Sequence, residues 1–397
     1  MTKRAGVICT RAQKHFHGYG HYEYKESKCA ASTEALQIFD LESLMSRIIA
    51  ILLLITFSSS SSLAFGPRGH ALVGGIADKL LAGKPAGNKI SVLLNGMSLS
   101  QAATLPDDIK NLDDQKPFTL PPQFSSIRQQ MFAFWQANKP KSSHFYHRNY
   151  HFVDIPVVGN EVYSSGEIGR SDTDVVHMIG FCIGVLQGSI PENNPRKITK
   201  AVAVILITHY VGDIHQPLHV GAEYFTSQGQ VFEPSTANPG FDDRGGNQIT
   251  LKLFRQGQPI YNDVFHGYWD NDTVRNARRV IVSEMQLTSH STVPPTDDQI
   301  EQWLASHQPN WQLHSQIPVM NWAEAWTNDI MPMAREAHAR LTFSQIGFAP
   351  HSSTIARGVA RENMNSVSYE RWAANTIRVE IHKAGWRLAA LLAEALK

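Results

Sequence analysis

Two histidines and an aspartate in THYVGDIHQPLH, residues 208–219, have the types and spacing of metal ligands. His209 and Asp213 are four apart, which puts both on one face of a helix within reach of one ion. Pro217 is unsuited to a helix interior, so the chain turns there and His219 folds back toward the same cleft. Imidazole and carboxylate without thiolate favour zinc or a similar borderline divalent metal, in a catalytic rather than a closed structural site. FHGYWDND repeats the four-residue spacing with His266 and Asp270. His70 in FGPRGH, Asp107 in TLPDDIK and His151 in YHFVDIP enlarge the set beyond what one ion can use.

Ligands so far apart in sequence need a scaffold that brings them together, and the hydropathy pattern points to helices. Val175 to Leu186 and Ile198 to Asp213 are apolar enough for buried helices, while Gly69 to Leu81 and the run through Leu94 are amphipathic. Further helices are expected over His266 to Met285, Thr296 to Ala305, Trp322 to Leu341 and Tyr369 to Leu396. In QITLKLFRQGQPIY, Gln248 to Tyr261, alternating apolar residues punctuated by Gly257 and Pro259 predict a short β-hairpin. Polar, Pro-rich loops are expected at Asp113 to Gln123, Gly221 to Gly246 and Ser289 to Asp297. Without an internal repeat, heptad run or long linker, the expectation is an all-α, single-domain, multi-helix fold with one hairpin.

The chain has 397 residues, enough for a sizeable core. Met45 to Ala64, MSRIIAILLLITFSSSSSLA, has a basic Arg47, an apolar run from Ile48 to Phe57 and small residues at Ser62 and Ala64. That is the pattern of a secretory signal peptide cleaved after Ala64. Its apolar run is too short for a permanent membrane anchor. Residues 1–44 are expected to be a misassigned or extraneous extension ahead of a start at Met45. The working domain would then span 65–397 in an exported protein, periplasmic or secreted. A formal net charge of +1 excludes a global basic field, so a polyanion would have to be drawn by bound cations or a local patch. Cys9 and Cys29 precede the expected cleavage point and leave Cys182 alone in the apolar MIGFCIGVL. The mature chain can form no internal disulfide, which leaves stability to core burial and metal.

FGPRGH, LPDDI, YHFVDIP, THYVGDIHQPLH, DRGGN and FHGYWDND occur in the order found in the zinc-dependent single-strand nucleases and 3'-nucleotidases, and the chain resembles this S1/P1 nuclease family over essentially all of 65–397. The resemblance implies a helical fold of the phospholipase C and nuclease type with three zinc ions (Zn2+). It implies Asp107, His151, His209 and Asp213 at the first ion, with Asp213 bridging to a second that His70 and the amino nitrogen and carbonyl oxygen of Phe65 complete. His219, His266 and Asp270 would hold the third. Asp107 and Asp213 would act through the ions they hold, and Asn271 would donate a hydrogen bond near the scissile phosphate. The implied substrates are single-stranded DNA and RNA, cut to 5'-phosphate products, and 3'-nucleotides, with no stable protein partner.

The chain departs from the family pattern twice. Phe65 stands where the family begins with Trp, a change that spares a backbone chelate. Leu105-Pro106 replaces Trp-Ala ahead of the ligand aspartate and leaves Asp108 as a competitor to Asp107. Asp154, Asp243 and Asn247 read as supporting or turn residues. A zinc-dependent phospholipase C is the rival enzyme, although the wording of GD-x-HQPLH and the GGN motif favour the nuclease. A non-catalytic zinc-binding protein is the other rival, but it would fill its coordination with protein ligands, whereas this set leaves positions open. His144, His147 and His215 fit hydrogen-bonded structural roles better than metal contact. Phe145, Tyr146, Tyr163 and Tyr210 have the chemistry to stack a base but read better as core. A glycan on the sequon Asn271-Asp272-Thr273 would crowd the neighbouring ligand.

Overall fold

The structure is a computed structural model that describes residues 65–139, 145–290, 292–311, 316–344, 356–360 and 367–397. The expected extension and signal peptide lie outside the described residues. The longer helices are α1 (Gly66–Leu81), α2 (Pro85–Leu93), α5 (Ser125–Ala137), α6 (Val175–Gln187), α7 (Lys200–Asp213), α8 (Thr273–Ser289), α9 (Asp297–Ser306), α10 (Trp322–Ala339) and α11 (Tyr369–Ala395). Two single turns, α3 (Leu99–Ala102) and α4 (Leu105–Asp108), fall between α2 and α5.

Helix α7 is the centre of the fold because its sequence, KAVAVILITHYVGD, is apolar nearly all round and finds no face to turn toward water. Every residue from Ala201 to Asp213 is buried. Full burial of each Val, Ile or Leu contributes about 1.5–3 kcal/mol. The Thr199 hydroxyl caps the start by accepting the Val202 amide at 3.2 Å. Helix α6 packs along α7, begins under the Asp174 cap and stops at Gly188, whose φ of 80° suits glycine. Helix α11 lies against α1, α7 and α8.

The expected hairpin is present as β5 (Ile249–Arg255) antiparallel to β6 (Gln258–Val264). It does not stand alone. β8 (Ala356–Ala360) runs parallel to β5, and β7 (Leu341–Ser344) runs antiparallel to β8, which gives a four-stranded sheet in the order β6-β5-β8-β7. Two-residue strands also form within and before the 221–246 loop: β1 (Ile155–Pro156) with β2 (Gly221–Ala222), and β3 (Tyr224–Phe225) with β4 (Phe241–Asp242). The long helix expected from His266 is interrupted, since a short turn at Phe265–Gly267 passes through a π turn at Tyr268–Asp272 before α8 begins. Helix α5 had no place in the sequence expectation. No described helix is long and apolar enough to cross a membrane.

Candidate metal centre

Asp213 closes α7 one turn after His209, and His209 Nε2 lies 3.3 Å from Asp213 Oδ2. Both side chains are 0% exposed. An unpaired polar group carried that deep costs about 2–7 kcal/mol, so partners must be found there. They arrive from other segments. Helix α1 brings His70, α4 brings Asp107 with Oδ1 3.7 Å from His209 Nε2, and a 3-10 turn at His147–His151 brings His151 with Nδ1 3.0 Å from His209 Nε2. The chain turns at Pro217 as its geometry demands, and His219 Nε2 comes to 3.1 Å from His266 Nε2. His266 and Asp270 face one another across the turn before α8, Nε2 to Oδ2 at 3.2 Å.

Three sets of donor atoms result, each with all members within 4.8 Å: His70, Asp107 and His209; His151, His209 and Asp213; His219, His266 and Asp270. His209 belongs to two of them. The Asp213 carboxylate divides itself, with Oδ1 3.3 Å from His70 Nε2 and 3.9 Å from His219 Nδ1, and Oδ2 3.1 Å from His151 Nδ1. One continuous centre is the consequence.

The donor set fits a divalent metal on the arrangement of its protons. His209 donates Nδ1–H to the Ala103 carbonyl at 2.7 Å, His219 to the His151 carbonyl at 2.7 Å, and His266 to the Gly245 carbonyl at 2.6 Å. A carbonyl only accepts, so each neutral ring must hold its lone pair on Nε2. The Nε2 atoms of His219 and His266 face each other at hydrogen-bond distance, an arrangement held by a shared proton or by a bound cation. Both ring nitrogens of His70, Asp107 Oδ2 and Asp213 Oδ1 are buried without a hydrogen-bond partner, which is how ligands look before a metal satisfies them. Burial holds the His151, His209 and His219 rings well below the usual imidazole range, and neighbouring positive groups add to this, so they stay neutral. Burial pushes the Asp213 carboxyl up to about 7, only partly offset by the His70 ring. His266 is raised despite its burial because Asp270 faces it.

Of the two neighbouring aspartates, Asp107 turns into the centre while Asp108 accepts the Thr104 hydroxyl at 3.1 Å and belongs to none of the three sets. Phe65 sits at the head of α1 with φ 42°, its buried ring edge-on to His70 at 6.1 Å between centroids. Its carbonyl accepts the Gly69 amide at 3.2 Å. Asn271 is exposed and donates Nδ2–H to the Gly267 carbonyl at 3.1 Å, and a Cβ on Gly66 would stand 2.9 Å from its Oδ1. The first turn of α1 therefore borders Asn271. Within the sequon, Thr273 is buried and donates to the Trp269 carbonyl.

His215 is not drawn into the centre. It donates Nδ1–H to the Val211 carbonyl at 2.7 Å and accepts from Arg387 of α11 through Nε2 at 3.1 Å, and Arg387 also donates to Asp329 at 2.5 Å. The final helix thereby grips the turn between Asp213 and His219. His147 donates Nε2–H to Asp113 at 3.0 Å, and His144 lies outside the described residues. Tyr163 and Tyr210 are core, whereas Phe152, directly after His151, is 36% exposed. Two contributors were missed in the sequence. Lys110 is buried against Asp107, Nζ to Oδ1 at 2.6 Å, and its charge acts on His151, His209 and His219. Gln216 donates Nε2–H to Asp270 at 2.8 Å and takes the Leu218 amide on Oε1 at 2.6 Å. Both lie inside ligand-bearing motifs, TLPDDIK and THYVGDIHQPLH, but their roles depend on contacts made only on folding.

A mainly helical fold enclosing a clustered histidine and aspartate centre defines the class of this protein. The S1/P1 Nuclease family model matches residues 65–397, and the chain belongs to that family. It is 27% identical to Endonuclease 1 of Arabidopsis thaliana over 240 residues, which cover 58% of this chain and 61% of that protein. To Endonuclease 4 of Arabidopsis thaliana it is 32% identical over 75 residues, 19% of this chain and 17% of that protein. The chain thus spans about three-fifths or less of the length of these curated relatives.

Proposed function

We propose that this protein is an exported zinc-dependent phosphodiesterase that hydrolyses single-stranded DNA and RNA to 5'-phosphate products and removes phosphate from 3'-nucleotides. The observation that carries this reading is the junction at His209 and Asp213, where two donor sets share a histidine and one carboxylate faces two directions. Asp107, His151, His209 and Asp213 would hold one ion; His70, Asp213 and the Phe65 backbone a second; His219, His266 and Asp270 a third. When bound, zinc supplies Lewis acidity toward phosphate oxygens and lowers the pKa of water.

The protein groups do the rest. The Nδ1–H bonds to carbonyls orient the lone pairs of His209, His219 and His266 inward. Lys110 keeps a positive charge at Asp107, suited to an anionic diester. The exposed Asn271 amide stands ready to donate to a phosphate oxygen beside Asp270. The exposed Phe152 ring offers a face on which an unpaired base can stack. Ligands this deeply buried are reached by a splayed nucleotide more easily than by a stiff duplex.

The test is digestion of heat-denatured against native DNA, with zinc and with EDTA, alongside phosphatidylcholine. Rapid loss of denatured DNA, abolished by chelation, is expected. Lipid turnover without nuclease activity would overturn the reading in favour of a phospholipase.

A further inference from the structure

Loop 243–246, which links β4 to β5, has an unusual backbone. Arg244, Gly245 and Gly246 take φ values of 52°, 57° and 82°, three successive residues in the left-handed region, of which only the glycines sit there without strain. Such a backbone persists only where its surroundings over-determine it. On the metal side, the Gly245 carbonyl accepts His266 Nδ1–H at 2.6 Å and the Gly246 carbonyl accepts the His266 amide at 3.3 Å. The Leu218 carbonyl, one residue before His219, lies 2.1 Å from where a Gly245 Cβ would stand. The loop is therefore wedged between the backbones that carry His219 and His266.

Its other side is tied down through Asp243, which is 0% exposed. The Asp243 amide donates to the Glu223 carbonyl at 2.9 Å, and its own carbonyl accepts the Gln248 amide at 3.0 Å. Its carboxylate accepts from His338 Nε2 at 2.9 Å, while His338 donates Nδ1–H to Ala334 of its own helix, α10, at 2.9 Å. The ring is thus held at both nitrogens, by a backbone carbonyl on one side and the Asp243 carboxyl on the other. The His338 ring also packs edge-on to Phe265, the residue before His266, at 5.4 Å between centroids.

We propose that His338 is a positioning residue for the metal centre: through Asp243 it holds the 243–246 loop that aims His266 and sets its separation from His219. The inference rests on the zinc reading above and adds a residue, outside every donor set, on which the His219, His266 and Asp270 group depends.

The experiment compares His338→Leu, His338→Gln and Asp243→Asn in the full chain with Ile330→Val, a core change on the same helix that calibrates general loss of stability. Zinc equivalents and their affinities are read by chelator competition, together with kcat and KM on denatured DNA. In His338→Leu and Asp243→Asn, one equivalent is expected to weaken about 10–100-fold while the others hold. The loss should appear in kcat, with KM within twofold of the parent, and His338→Gln, which still offers a donor, should recover most of it. Wild-type affinity in both variants, or a uniform weakening of all equivalents in step with Ile330→Val, would overturn the proposal. Should His338→Leu fail to fold, the isosteric Asp243→Asn decides by the same criteria. A parent protein that binds no zinc would defeat the metal reading itself, before any variant is compared.

Discussion

The imidazoles of His70 and His209 lie nearly parallel, 13° apart, with ring centroids separated by 3.8 Å. The stack depends on an absence in the chain. A Cβ on Gly212 would stand 2.6 Å from His70 Nδ1, so glycine at this place on α7 lets the His70 ring reach the helix. Gly212→Ala is expected to push His70 out of register, at about 1–3 kcal/mol of overpacking. Zinc content should drop and activity should fall at least tenfold. Full metal content and parental activity would show that the placement of His70 does not depend on glycine at position 212.

Asp213→Asn keeps the shape of the side chain but removes the charge that faces both sides of the centre. The expectation is loss of two zinc equivalents and collapse of activity, measured by elemental analysis beside a nuclease assay. Unchanged turnover would contradict a bridging role.

The Phe65 nitrogen can coordinate only as a free amine, because an amide nitrogen has no basic lone pair to give. Protein that begins one residue ahead of Phe65 should bind its second zinc more weakly and lose most of its activity, whereas protein beginning at Phe65 should be complete. N-terminal sequencing beside metal analysis checks this, and equal activity of the two forms would remove the N-terminus from the ligand set.

Arg387 is 1% exposed and donates to His215 and Asp329, so Arg387→Met leaves a buried imidazole acceptor without its partner. A loss of about 1–3 kcal/mol in urea unfolding is expected. Weaker zinc retention should accompany it, because the gripped turn lies between Asp213 and His219.

Asp113 gives a pH signature. Burial raises its carboxyl, but His147, Trp135 and Arg148 outweigh it and bring the pKa down to about 2. Because the folded value lies below the unfolded one of about 3.9, the contribution is complete above pH 4 and fades as the pH falls toward 2. After allowance for solvent screening it amounts to roughly 1 kcal/mol. Metal-free Asp113→Asn should be less stable than the parent at pH 6, and the gap should close between pH 4 and pH 2. A constant gap across that range would show that the ion pairs contribute nothing.

The positions of these residues divide what the sequence reveals from what it hides. Helix α7 was legible because thirteen near-continuous apolar or ligand residues and a terminal proline leave few alternatives. His209 with Asp213 and His266 with Asp270 were legible because both members of each pair lie on one turn. Helix α5 should have been visible, since Ile127, Met131 and Phe134 have helical spacing, but its exposed face reads as loop. The sheet was half visible: β5 and β6 are joined by a tight turn, whereas β7 and β8 come from residues 341–360 and declare themselves only by pairing. Lys110, Gln216 and His338 were hidden for the same reason. Their types are ordinary, and their roles come from what folding places beside them.

His70 stands on the first described helix and Arg387 on the last, yet both touch the short stretch from His209 to His215. The centre is thus sealed by segments more than three hundred residues apart. During synthesis the early histidine must wait until nearly the whole polypeptide has emerged before the turn it serves is secured. A truncated product lacking α11 would retain every ligand residue of the three donor sets but lose the Arg387 contact that fastens the turn between Asp213 and His219.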